Sequence, residues 1–146
     1  MNNQPDHQHG EILAAAINLD AIAVVSKSDD GICKITSEGY GETIVDVNDL
    51  DINPTEIGTS KALIKGVLKG LTDREYLIGG FKAYITSDVT NGAGLSSSAA
   101  FETLIGTIIN YAYNEGRLDA VTNAIIGQFA ENVYFGKPCG LMVQIL

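Results

Sequence analysis

The chain has 146 residues, of which 45% are hydrophobic and 18% are charged, so its composition is that of one globular domain and excludes a disordered segment. Nine basic against eighteen acidic residues give a formal net charge of −9, which argues against binding to nucleic acid or to an anionic membrane. No apolar run approaches the ~20 residues that span a bilayer. The first ten residues lack the basic and apolar regions of a signal peptide. Two distant cysteines, Cys33 and Cys139, have no metal-binding spacing, and we expect both to be reduced in the cytoplasm.

The first third of the chain predicts short β-strands. Apolar and β-branched residues are concentrated at 12–19, 22–25, 32–36 and 43–47. A turn is expected at residues 29–31, because the glycine of this Asp-Asp-Gly sequence readily adopts a positive φ. This pattern predicts an antiparallel meander.

A helix is predicted to begin at residue 53, since Asn53 suits the N-cap, Pro54 the first helical position, and Glu56 completes a capping box. Apolar residues then recur at three- and four-residue spacing as far as Leu71, and Gly70 is the expected stop. Residues 79–89 alternate between apolar and polar types, which indicates a half-buried strand.

Two more helices are predicted towards the end of the chain. Residues 99–113 are apolar nearly all round and indicate a central helix. Asp119 caps a second helix over residues 120–135, whose expected buried face comprises Val121, Ile125, Phe129 and Val133. The order of elements predicts an α+β fold with helices packed on one face of a mainly antiparallel sheet.

A glycine- and serine-rich segment precedes the central helix. The glycines Gly92 and Gly94 have no Cβ, so the backbone amides there can approach a ligand closely. The start of a helix adds free N–H groups and the positive end of its dipole, which together suit a phosphate. The hydroxyls of Ser96, Ser97 and Ser98 can cap the helix, bind phosphate or reach Mg²⁺. From these residues alone, a phosphate site and a plain turn with helix-capping serines both remain open.

The segment is neither of two common nucleotide-binding motifs. It lacks the GK[ST] ending of a Walker A loop, and Ser97 stands where the dinucleotide fingerprint has its third glycine. Extended to Ala100, it reads GAGLSSSAA and resembles the ATP-binding motif of the GHMP kinase family, which phosphorylates galactose, homoserine, mevalonate and phosphomevalonate.

Two other segments resemble the galactokinase branch of this family. Residues 6–10 and the apolar run after them are similar to the tail of the sugar-binding signature GEHTDYNGG, and residues 130–142 are similar to the segment that ends PCGxMDQ. The resemblance implies that residues 1–146 are a GHMP-kinase N-terminal domain, related to the second domain of ribosomal protein S5. The expected fold has an antiparallel sheet with helices on one face, and the family's C-terminal domain is expected to be absent from this chain.

The resemblance implies a role for each matching position. Asp6 matches the carboxylate that accepts hydrogen bonds from sugar hydroxyls, and Gly140 matches a backbone position that lines the sugar site. One of Ser97 and Ser98, together with Glu131, matches the Mg²⁺ ligands. Considered without the resemblance, Glu131 is better explained as a carboxylate on an exposed helix face. The residues that match the ATP cradle are Gly92, Ala93, Gly94, Leu95, Ser96, Ser97 and Ser98.

The chain departs from the galactokinase pattern at three places. Gln4 replaces the histidine that contacts the sugar, the arginine expected seven residues before it has no counterpart, and Val143 occupies the position of the catalytic aspartate. Phosphoryl transfer depends on positioning and on charge neutralisation, and removing one such group typically costs on the order of 10²–10³ in rate. We therefore expect catalysis by this chain to be impaired.

The function that the resemblance implies is cytoplasmic phosphorylation of galactose to galactose 1-phosphate, with ATP and Mg²⁺. One alternative is a non-catalytic protein that binds galactose and ATP, which the valine at residue 143 fits. Another is a different GHMP small-molecule kinase, against which the matches at Asp6 and at residues 138–140 argue. The expected partners are a small sugar and ATP. A homo-oligomer is also expected, because helix faces that relatives cover with a second domain would be exposed.

Overall fold

The computed structural model describes residues 12–17, 21–38, 41–86 and 97–136, and these form an α+β fold, as predicted. None of the helices within these ranges is long and apolar enough to cross a membrane. In chain order the elements are β1 (Ile12–Ile17), β2 (Ala21–Ser28), β3 (Ile32–Ser37), β4 (Gly41–Asp46), a 3-10 helix (Pro54–Glu56), α1 (Ser60–Asp73), β5 (Gly80–Thr86), α2 (Ser97–Tyr113), α3 (Ala120–Phe129) and a π-helix (Ala130–Phe135).

The strands form one mixed sheet in the order β1-β2-β5-β3-β4. Three pairings are antiparallel, and β3 and β5 are parallel. The predicted meander is therefore wrong, because β5 lies between β2 and β3 and separates the two strands that the turn at residues 29–31 joins. Gly80, the first residue of β5, lies so close to both that a Cβ would be 2.6 Å from Ser28 Oγ and 2.7 Å from the Ile32 amide nitrogen.

The alternation predicted for β5 is confirmed. Phe81, Ala83 and Ile85 are buried, whereas Lys82 and Tyr84 are exposed. The buried side chains belong to a core that also contains apolar residues of α1, α2 and α3. The helices therefore cover one face of the sheet, and none of the described elements covers the other, open face.

Helix α1 begins later and ends later than predicted. Asn53 is an N-cap, since its Oδ1 accepts a hydrogen bond of 3.0 Å from the amide two residues on, but it caps the 3-10 helix. Gly58 has a φ of +83°, which interrupts the helical backbone, and Thr59 caps α1 itself. Gly70 is not the stop: α1 continues to Asp73, and Gly70 is buried within it.

The helix predicted over residues 120–135 consists of α3 and the π-helix, and its predicted buried face is wrong. Val121 is 54% exposed and Val133 is 43% exposed. Ile126 and Ala130 pack at Gly70 and Gly66 of α1, so the face that carries them is the buried one, and the wider turn of the π-helix changes the phase after residue 130. The buried positions are Asn123, Ala124, Ile126, Gly127, Ala130, Glu131 and Tyr134.

Candidate functional site

The glycine-rich loop predicted to bind ATP connects the end of β5 at Thr86 to the start of α2 at Ser97. As predicted, α2 begins at the serine cluster, with Ser97 and Ser98 as its first residues. The first turn of a helix has N–H groups without intrahelical acceptors and the positive end of the dipole. The strand–loop–helix order of the motif is therefore present. The loop residues themselves lie outside the described part of the chain: Gly92, Ala93, Gly94, Leu95 and Ser96.

The far end of α2 is tied to the segment that leads into β5. Asn114 is fully buried, its side-chain amide donates to the Leu77 carbonyl oxygen at 2.8 Å, and its Oδ1 accepts from the Leu77 amide at 2.9 Å. The Tyr113 hydroxyl donates to the Gly80 carbonyl oxygen at 2.5 Å. These contacts fix the strand and the helix that flank the loop relative to each other.

Glu131, the predicted Mg²⁺ ligand, is the second residue of the π-helix and is only 2% exposed. The interpretation of this residue as a carboxylate on an exposed helix face is therefore wrong. Burying a carboxylate costs free energy unless it is hydrogen-bonded, paired or bound to a metal. π-helical turns are rare and occur frequently at functional sites. Glu131 is thus a strong candidate for a functional carboxylate.

The chemistry of the available donors fits a magnesium nucleotide. Within the described ranges no group of three or more His, Cys, Asp or Glu side chains is placed to hold a metal alone. Mg²⁺ at nucleotide sites typically keeps several waters and binds one or two carboxylates together with substrate phosphates. Glu131 supplies one buried carboxylate of the kind that such a site uses.

Glu102 is a second buried carboxylate, and it is not among the predicted site residues. It lies near the start of α2 and has no exposed surface. The signal was available, because Glu102 is the one charged residue in the apolar sequence of α2. A charged residue in such a helix is rarely fully buried without a partner.

Two hydrogen bonds hold the π-helix to the loop that precedes α1. The Tyr134 hydroxyl donates to the Leu50 carbonyl oxygen at 2.5 Å, and the Gly58 amide donates to the Phe135 carbonyl oxygen at 3.2 Å. Burial raises the pKa of the Tyr134 hydroxyl, so it remains protonated and donates at neutral pH. The backbone around Glu131 is therefore anchored on this side.

The same loop is tied to α1 through the buried Lys65. Its ammonium contacts Glu56 Oε1 at 2.8 Å and donates to the Asp51 carbonyl oxygen at 3.3 Å. Lys61 contacts the other Glu56 oxygen at 3.3 Å. The hydrogen bond from Lys65 is the main reason that the pKa of Glu56 lies below its usual value. Loop 50–58, α1 and the π-helix thus form one connected unit.

The predicted sugar-site residues lie outside the described residues. These are Asp6, Gly140 and Val143, as well as Gln4. Their predicted roles remain predictions.

Comparison with known proteins identifies the domain. The family model described as "GHMP kinases N terminal domain" matches residues 62–145. Galactokinases from Clostridium tetani and Pyrococcus furiosus are 34% and 37% identical to this chain over 139 residues. The alignments cover 95% of this chain but only 35% and 38% of those proteins, so the chain spans little more than a third of their length.

Solved structures agree with this assignment. The galactokinase of Lactococcus lactis, crystallised in complex with galactose, matches with a TM-score of 0.76 and 25% identity, over 95% of this chain and 36% of that chain. The mevalonate kinase of Methanococcus jannaschii matches in fold, with a TM-score of 0.68 and 21% identity over 88% of this chain and 41% of that chain. Since the family model covers more than half of the residues, the chain belongs to the GHMP kinase family.

Proposed function

We propose that this chain is the sugar- and ATP-binding N-terminal domain of a galactokinase-type enzyme. The reaction is transfer of the terminal phosphoryl group of ATP to the anomeric hydroxyl of galactose, giving galactose 1-phosphate. The identity to galactokinases supports this choice within the family. The observation that carries the site is that Glu131, at the position that matches a Mg²⁺ ligand of the family, is a buried carboxylate on a π-helix.

Each proposed site residue has a distinct task. Backbone amides of residues 92–98 bind the phosphates, and Glu131 with Ser97 or Ser98 holds Mg²⁺. When bound, Mg²⁺ neutralises charge on the phosphate oxygens. Asp6 accepts a hydrogen bond from a sugar hydroxyl and the backbone at Gly140 lines the sugar.

Val143 favours a second candidate function, in which the domain binds galactose and ATP with little or no transfer. A valine cannot accept a proton or stabilise charge, and the aspartate of the galactokinase pattern can do both. We propose that catalysis by this chain is impaired for that reason. Another GHMP small-molecule kinase is the remaining candidate, and a panel of sugar and non-sugar acceptors distinguishes it.

Transfer of labelled phosphate from ATP to galactose, measured beside calorimetric binding of both ligands, tests these proposals. We expect binding of Mg·ATP and galactose, and a rise in transfer on the order of 10² in Val143→Asp. Val121→Asp, at an exposed position of α3, is the matched control and should leave transfer unchanged. If the wild-type chain transfers phosphate as fast as Val143→Asp does, the proposed impairment of catalysis is refuted. Failure of either ligand to bind would refute the proposed site.

The open face of the sheet carries exposed apolar side chains. Val24, Ile44 and Tyr84 are about half exposed on the open sheet face, and exposed apolar surface of this kind favours association. We propose a homo-oligomer, and a monomer by light scattering at all concentrations would contradict it.

We also propose a cytoplasmic location, which agrees with the buried free thiol of Cys33.

A further inference from the structure

Helix α1 and the π-helix meet at backbone distance. A Cβ built on Gly66 would lie 2.7 Å from the Cβ and 2.8 Å from the Cα of Ala130, and 3.1 Å from the Cβ of Tyr134. Carbon atoms in contact normally lie about 3.5–4.0 Å apart. Any side chain at residue 66 therefore requires one of the two helices to move.

The second buried glycine of α1 is different. A Cβ on Gly70 would lie 2.9 Å from Ile126 Cγ2 and 3.4 Å from an aromatic carbon of Phe129. These atoms belong to side chains, which can rotate without a shift of the backbone. Gly66 and Gly70 lie one turn apart, but only Gly66 faces the backbone of its neighbour.

The contact at Gly66 lies beside the predicted metal ligand. Ala130 is the first residue of the π-helix and Glu131 is the next. Three residues further, Tyr134 is held by its hydrogen bond to Leu50. The backbone that carries Glu131 is therefore fixed both by its contact with α1 and by the hydrogen bond to loop 50–58.

A Mg²⁺ site accepts only a small displacement of its ligands, so the contact at Gly66 bears on metal binding. Mg²⁺ requires near-octahedral ligands at about 2.0–2.1 Å, so a ligand displaced by several tenths of an ångström binds weakly. A Cβ at residue 66 would displace Ala130 by roughly 0.7–1.3 Å to reach a normal carbon contact. Glu131, bonded directly to Ala130, would move with it.

We propose that Gly66 is a positioning residue, whose missing side chain allows α1 to hold the π-helix where Glu131 reaches the metal of the bound nucleotide. This inference rests on the proposed role of Glu131. It assigns a function to a glycine that, as a residue within a helix, would otherwise only weaken it.

The test compares Gly66→Ala with Gly70→Ala in the full chain. Mn²⁺, a probe with the same preference for oxygen ligands, is titrated in the presence of ATP by electron paramagnetic resonance, and ATP binding is measured separately in EDTA. We expect Gly66→Ala to weaken Mn²⁺ binding about tenfold or more, as for other residues that orient metal ligands. ATP affinity in EDTA should change less than about twofold in either variant, since both glycines belong to α1 and not to the proposed phosphate-binding segment 92–98. Gly70→Ala should keep its Mn²⁺ affinity even where urea unfolding shows a comparable loss of stability.

Equal Mn²⁺ affinity in the two glycine variants would overturn the proposal. If Gly66→Ala does not fold, Tyr134→Phe decides, because it loosens the same helix without adding an atom. We expect it to weaken Mn²⁺ binding about threefold, as loss of one orienting hydrogen bond, and an unchanged affinity would overturn the proposal. Glu131→Gln distinguishes failure of the proposed metal role of Glu131 from failure of the proposed positioning role of Gly66. If it weakens Mn²⁺ binding and Gly66→Ala does not, only the positioning role fails. If Glu131→Gln has no effect, the proposed metal role fails and the positioning role fails with it.

Discussion

Asn114→Ala removes the connection between the end of α2 and the segment that leads into β5. The Asn114 side chain exchanges two hydrogen bonds with the Leu77 backbone, at 2.8 and 2.9 Å, and donates a third to the Ile109 carbonyl oxygen at 3.3 Å. Because β5 and α2 flank the proposed ATP-binding loop, this residue holds together the two elements that carry the loop, at their ends away from it.

The expected loss in the free energy of unfolding follows from the number of hydrogen bonds removed and from the access of water to their partners. Each intramolecular hydrogen bond contributes about 1 kcal/mol net, and the larger penalty applies to groups left unpaired away from water. The two hydrogen bonds to Leu77 are only partly buried, so we expect water to replace some of the lost bonding at its backbone. We therefore expect the free energy of unfolding to fall by about 3 kcal/mol and the Tm by about 10 °C.

Urea unfolding followed by circular dichroism measures this change. The slope of the free energy against urea concentration should stay constant, since the variant exposes the same surface on unfolding. Asn48→Ala, at an exposed position after β4, is the control and should stay within about 0.5 kcal/mol of wild type. A loss below about 1 kcal/mol in Asn114→Ala would show that its hydrogen bonds do not hold the helix to the strand.

Three further predictions test the fold. Gly80→Ala should destabilise the protein by about 1–3 kcal/mol in thermal unfolding, because a Cβ would lie 2.7 Å from the Ile32 amide nitrogen; an unchanged Tm would contradict the strand order. The hydrogen bond from Lys65 lowers the pKa of Glu56, so its stabilisation is present above the unfolded pKa of ~4.3 and disappears as the pH falls through the folded value. Glu56→Gln should therefore lose less stability than wild type between pH 7 and pH 3, and parallel losses in urea midpoints would refute this. Burial raises the pKa of the Cys33 thiol to about 12, so peptide mapping after alkylation at pH 8 should find it unlabelled until the chain unfolds; rapid labelling of the native protein would be contrary to its burial.

Local patterns in the sequence were sufficient to predict the elements that depend on local properties. The alternation in β5 and the apolar sequence of α2 reflect which side chains are buried, and both are present as expected. The strand order was not predictable in this way. The insertion of β5 between β2 and β3 depends on pairing between distant residues, and the turn at 29–31 resembles an ordinary hairpin.

The errors in the helices have identifiable physical causes. Asn53 and Thr59 are both good N-cap residues, and the positive φ of Gly58 between them decides that α1 starts at the second. Gly70 was predicted to end α1 because glycine often does so, but here it provides space for Ile126 of α3. The packing of one helix against another cannot be predicted from the spacing of apolar residues in either helix alone.

The candidate site was predictable in part. The start of α2 at the serines follows from the local sequence, whereas the burial of Glu131 does not, because it is a charged residue between the polar Gln128 and Asn132. Only the resemblance to the family indicated a functional carboxylate there. Glu131 lies in a π-helix whose Ala130 packs against Gly66, and neither feature can be recognised from residue types.

Calorimetric titration of ATP with and without Mg²⁺ is the direct test of Glu131 as a ligand of the nucleotide-bound metal. We expect Mg²⁺ to raise the ATP affinity of the wild-type chain about tenfold or more, and Glu131→Gln to abolish most of that gain while leaving metal-free binding unchanged. Glu115→Gln, at an exposed turn after α2, should behave as wild type. An ATP affinity that responds to Mg²⁺ equally in wild type and Glu131→Gln would contradict the account.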